Sequence, residues 1–141
     1  MAQINTGKVI AGGLAAGVVA NVIDFLVNGV WLADRWKAQT AKLNPNLDMM
    51  STNALAYYVG FDFVIGILLV WLYAAIRPRF GPGPRTAMIA AIPVWLLFTG
   101  VNVSFAVTTM YTWKLMGVAS VAGLVSLLLA SYVGAMIYKE E

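Results

Sequence analysis

The chain has 141 residues, of which 61% are hydrophobic and 11% charged, with nine Lys and Arg against six Asp and Glu and a net charge of +3. A soluble domain carries about a quarter charged residues. A core of this length cannot hide so much apolar surface, so at a mean hydropathy of +0.81 the expected solvent is lipid. With no Cys and no His, disulfides, thiolate chemistry, the usual haem and iron–sulfur ligands, most zinc sites and every Ser-His or Cys-His nucleophile pair are excluded.

Four apolar runs follow one another, over about 8–32, 52–76, 86–110 and 113–138. Each exceeds the roughly 20 residues that a helix needs to cross the hydrocarbon core. They lack the alternation of barrel strands. The expectation is an all-α protein, a single transmembrane domain over 1–141 built as a four-helix bundle. The first run is too long for a signal-peptide core of about 7–15 residues, and Asn21, Asp24 and Asn28 interrupt it.

The first run carries a stripe. Gly13, Gly17, Asn21, Asp24 and Asn28 are spaced 4, 4, 3 and 4, one face of one helix. Gly13 and Gly17 form a small-xxx-small pattern that admits another backbone. Lipid solvates neither Asn nor Asp, so the polar half should face the bundle interior.

Residues 33–51 form the one sizeable connection. Trp36, Thr40 and Leu43 recur at helical spacing, and Asn44-Pro45-Asn46 should end that helix. This reads either as a short helix lying on the outer membrane surface or as a plain loop containing two helical turns.

The second run supplies Tyr58, Asp62 and Gly66 at i, i+4 and i+8. After it, Arg77 to Arg85 reads RPRFGPGPR. Three Pro and two Gly predict a tight non-helical turn. Arg77, Arg79 and Arg85 are candidates for contact with lipid headgroups or a partner's acidic surface. The third run supplies Trp95, Thr99, Asn102 and Thr109, with Pro93 inside it. The fourth supplies Ser120, then a small face of Gly123, Ser126, Ala130 and Gly134.

With four spans, Lys8, Arg77, Arg79, Arg85 and Lys139 share one side, and Arg35, Lys37, Lys42 and Lys114 the other. The short basic turn tips the positive-inside rule, and both termini are expected in the cytoplasm. Trp31, Trp36, Tyr111 and Trp113 should then sit at the outer interface, and Trp71, Tyr73 and Tyr138 at the inner one.

Counting along the helices puts Asp24, Asp62, Asn102 and Ser120 within about 10–15 Å of the outer helix ends. A polar layer of Asn21, Asp24, Asn28, Asp62, Asn102 and Ser120 is expected there. It reads either as a hydrogen-bonded clasp or as a site for a proton, a cation or a small polar solute. No Lys or Arg lies deep in any run, so a neutral acid or a cation site is expected over an internal salt bridge. No metal site, cofactor or nucleic-acid partner is expected.

The segment WLYAAIRPRFGPG, Trp71 to Gly83, and the pattern Asn21-x-x-Asp24-Phe25-x-x-Asn28-Gly29 resemble a group of small bacterial integral membrane proteins with four spans. The resemblance runs through all four spans and implies a bacterial inner-membrane location. It implies no activity. Three functions are open: a non-enzymatic accessory subunit or homo-oligomer, a small transporter using Asp24 and Asp62, and an enzyme. The last is the weakest, because no nucleophile with an acid–base pair is visible.

Overall fold

The computed structural model describes residues 3–138, and their regular structure is entirely helical. The elements are α1 (Thr6–Asp24), a π-helical segment (Phe25–Trp31), α2 (Ala33–Leu43), α3 (Thr52–Phe80), α4 (Pro84–Val107) and α5 (Trp113–Ile137). Thr6–Trp31, α3, α4 and α5 are each long and apolar enough to cross a membrane. The chain is an integral membrane protein built as a four-helix bundle with a short helix between the first two spans.

The starts follow from local chemistry. Asn5, Ser51 and Thr112 each accept a backbone N–H of the first turn, at 3.1, 3.4 and 3.4 Å, and Pro84 opens α4 where its missing N–H costs nothing. Around the bundle, α1 packs on α3 and α5, and α4 packs on the same two helices from the opposite corner.

Small residues set the spacing. Half of the sixteen buried residues in the main core are Ala, so backbones approach closely. A Cβ at Gly13 would lie 2.5 Å from the Ile67 Cα, and one at Gly17 would lie 2.8 Å from the Phe63 Cα. Gly66 seats in return on the Gly13 carbonyl and the Gly17 amide. On the other flank of α1, a Cβ at Gly12 would lie 2.7 Å from the Gly134 carbonyl oxygen.

The two ends of the bundle differ. The main core fills the end that carries the α3–α4 turn, Asn5 and Tyr138, called here the turn end. At the other, loop end a separate small cluster of Leu32, Ala106, Leu115 and Met116 joins the junction of the π-helical segment and α2 to α4 and α5, without α3. The buried residues of α3 begin only at Ile65. Its first half, 52–64, leans on its neighbours without entering either core.

Several expectations change. Arg77 to Phe80 is helical, with Pro78 inside the last turn of α3. Three residues, 81–83, suffice for the turn, because Gly81 (φ 82°) and Gly83 (φ 123°) take backbone conformations that side chains disfavour. α4 ends at Val107, and Thr109 (φ 59°) lies beyond it, off the helical stripe. The first span ends as a π-helix, with Leu32 N–H bonded to the Val27 carbonyl at 2.7 Å. In α2, Thr40 is buried while Leu43 is exposed, so Trp36 and Thr40 alone form the inward line. Tyr73 and Tyr138 are core residues, 3% and 1% exposed, rather than members of an interfacial belt. Lys139 lies outside the described residues.

Candidate intramembrane polar site

The glycine crossing of α1 and α3 fixes what lies above it. One turn beyond Gly17, the Asn21 side-chain amide donates to the Gly17 carbonyl at 2.9 Å and to the Val59 carbonyl of α3 at 3.3 Å. One turn further, the Asp24 carboxyl lies beside the Ser126 hydroxyl of α5. Asp62 sits four residues before Gly66, on the face of α3 that meets α1. It is close enough to Asp24 for the two carboxyls to interact electrostatically. Asn28, inside the π-helical segment, accepts the Trp36 indole N–H at 3.1 Å. The stripe of the first span is thus divided among α3, α5 and α2.

A second polar cluster lies between α4 and α5. The Asn102 side-chain amide donates to Ser120 Oγ at 3.0 Å, and Ser120 in turn donates to the Met116 carbonyl at 2.8 Å. The Trp95 indole donates to the Ser120 carbonyl at 2.9 Å. Thr99 shares that face of α4, and its hydroxyl oxygen is buried with no hydrogen-bond partner. Beside it lies a cavity of about 150 Å³ lined by Thr99, Val103, Trp113, Met116, Gly117 and Ser120. A shallower groove of about 420 Å³ runs along α1 and α3 past Val18, Asn21, Phe25 and Phe63, apolar but for Asn21.

The expected single layer is therefore two clusters. Asn21, Asp24 and Asp62 gather where α1 meets α3 and α5, and Asn102 and Ser120 gather on the other flank of α5. Ser126 stands near the midpoint of α5. Both carboxyl residues are half-buried. In the small-residue set, Gly13, Gly17 and Gly134 lie in close backbone contact and Ser126 is buried, whereas a Cβ at Gly123 would meet nothing within 4 Å.

Around Asp62 the surface is aromatic. Tyr57 stacks on Phe61 with ring centroids 5.8 Å apart, and Phe61 meets Phe98 of α4 edge-on at 6.0 Å. Tyr57, Tyr58 and Phe61 are all exposed.

At the turn end, Arg79 and Arg85 are exposed and Arg77 is half-buried, with its guanidinium 5.9 Å above the Tyr138 ring. The Tyr138 hydroxyl accepts the Asn5 backbone N–H at 3.3 Å. The Tyr73 hydroxyl accepts that of Gly83 at 3.1 Å. Ser131 donates to the Ala87 carbonyl at 2.7 Å, tying α5 to α4. The sequence reading missed these three. The signal for Ser131 was its place four residues after Leu127, on the inward side of α5. The two Tyr gave no signal that separates a core ring from an interfacial one.

Chemically, Asn, Ser and Trp form neutral clasps. Asp24 and Asp62 form the one acidic pair inside the spans. No group of three or more His, Cys, Asp or Glu able to hold a metal ion occurs among the described residues. Compared with protein-family models, with curated proteins and with solved structures, the chain finds no match.

Proposed function

We propose that this protein is a non-enzymatic accessory subunit of the bacterial inner membrane that works by lateral association, with another membrane protein or with itself. One observation carries the reading. The first half of α3, 52–64, contributes no buried residue and leaves the rings of Tyr57, Tyr58 and Phe61 exposed. Aromatic rings are characteristic anchors of protein interfaces. A second protein surface over this half of α3 would cover them. The inner-membrane location is supported by the resemblance through Trp71–Gly83, and cytoplasmic termini are supported by Arg77, Arg79 and Arg85 on the turn.

The test is extraction of the tagged chain directly into native-lipid nanodiscs, followed by mass measurement. Discs holding further protein beside the 15.2 kDa chain are expected. Discs that hold single chains throughout would overturn the reading.

A second reading, a small transporter with a proton or cation site at Asp24 and Asp62, draws on the π-helical segment that begins at the residue after Asp24. Such segments recur at functional sites. Asp24→Asn with Asp62→Asn separates the two readings. Loss of proton or cation flux in liposomes with association intact would favour transport.

A further inference from the structure

We propose that the cavity between α4 and α5 seats an acyl chain of one anionic phospholipid, whose phosphate pairs with Lys114. The site does not depend on the association reading above.

The cavity suits a chain and not a polar solute. Its volume is about 150 Å³, well below the roughly 300 Å³ at which ordinary small-molecule pockets begin. Its wall is apolar. Ser120 lines it, but the hydroxyl there already accepts from Asn102 and donates to the Met116 carbonyl. The Thr99 hydroxyl oxygen is buried within the wall. Water needs two to four polar partners, and an apolar cavity stays dry. Left empty, the wall forfeits its dispersion contacts. Val103, Trp113 and Gly117 line the cavity and are all exposed, so it opens between two membrane-spanning helices onto the bilayer. Gly117 makes the opening, since a Cβ there would meet nothing within 4 Å. What the bilayer supplies at that depth is an acyl chain.

Charge selects the headgroup. Lys114 is exposed in the first turn of α5. It precedes Gly117 by three residues, so the two are neighbours on the helix surface. Trp113 beside it marks the headgroup level, and Ser120 lies about 10 Å deeper along the axis. A chain lying in the cavity therefore carries its own phosphate to Lys114. The first turn of α5 holds no acid, so the helix dipole and the ammonium attract that phosphate together. A zwitterionic headgroup brings its own cation and gains less from both.

The experiment uses the full chain in nanodiscs, with phosphatidylglycerol or phosphatidylcholine carrying a diazirine halfway along one acyl chain. After illumination, lipid adducts are mapped by mass spectrometry. Adducts on Val103 and Met116 report the cavity, and adducts on Leu97, the most exposed residue of α4 at 74%, report ordinary surrounding lipid. Relative to Leu97, the cavity should label about fivefold more with phosphatidylglycerol than with phosphatidylcholine, the size of one cation near a charged headgroup. Lys114→Gln should bring that ratio to one, and Lys114→Arg should keep it. Gly117→Leu fills the space and should remove the cavity adducts with both lipids while those on Leu97 remain. Equal cavity labelling by the two lipids would overturn the proposal, as would a preference that survives Lys114→Gln. Cavity adducts undiminished in Gly117→Leu would overturn it too, because the chain would then lie outside.

Discussion

At Gly66 the absent side chain is itself the contact, because the space a Cβ would take is held by the Gly13 carbonyl and the Gly17 amide. Both neighbours are backbone and cannot turn aside. Gly66→Leu should therefore part α1 from α3 at a cost of several kcal/mol, above the about 1–3 of ordinary overpacking. Gly117→Leu, at a position open to its surroundings, should cost next to nothing. Thermal unfolding in detergent, read for both variants, checks the contrast. Thr99 gives the opposite sign. Its buried hydroxyl has no partner, so Thr99→Val removes an unmet polar group without changing shape and should leave the melting temperature equal or raised. A fall of more than a few degrees would show that the hydroxyl is engaged. The glycines of the first span were legible because spacing alone puts them on one face. Gly123 was misread for a related reason. It shares a face with Ser126, Ala130 and Gly134, but spacing does not say where two helices part.

The elements turn on how helices end. Pro78 lies in the last turn of α3, where it forfeits one backbone bond that the lone closing bond, Gly81 N–H to the Arg77 carbonyl at 2.8 Å, does not need. Pro78→Ala should leave the helix length unchanged. Gly83→Ala should not be so mild. A residue at φ 123°, ψ −176° is in a region essentially reserved for Gly, and the strain is about 1–3 kcal/mol. Denaturation of the two variants side by side tests this, and equal stability would refute it. Composition marked 77–85 as a turn, and it could not divide the segment into four helical residues and a three-residue turn. That division depends on Thr86, whose hydroxyl bonds the Gly81 carbonyl at 2.7 Å, and on Tyr73 reaching Gly83. Both contacts form only after α3 and α4 have packed. The π-helical segment was equally hidden, since its residues read as continuous apolar helix.

For the whole molecule, the four spans and their order were open to reading, because a bilayer permits few ways to satisfy the backbone. The uneven closure of the bundle was not. Asn53, Tyr57, Tyr58 and Asp62 make 52–64 more polar than 65–76, but only packing shows that this half stays out of both cores. Orientation follows from the charges and is checked by labelling. Phe80→Cys, on an exposed residue of the turn end, should be shielded from an impermeant maleimide in intact spheroplasts. Lys37→Cys on α2 should react. The reverse pattern would invert the topology.

The tight seam between Gly12 and Gly134 joins the first span to the fourth. It therefore sets an order of events during synthesis. The hairpin of α1 and α3 can zip through Gly13, Gly17 and Gly66 as soon as both have entered the bilayer. Asp24, however, has no Ser126 to meet until α5 has left the ribosome. For that interval, the time to make roughly two-fifths of the chain at about 5–20 residues per second, a carboxyl in the first span waits for its partner. Biogenesis thus has a vulnerable stage that the finished bundle conceals, and a chain stalled before α5 is the species that membrane quality control would meet.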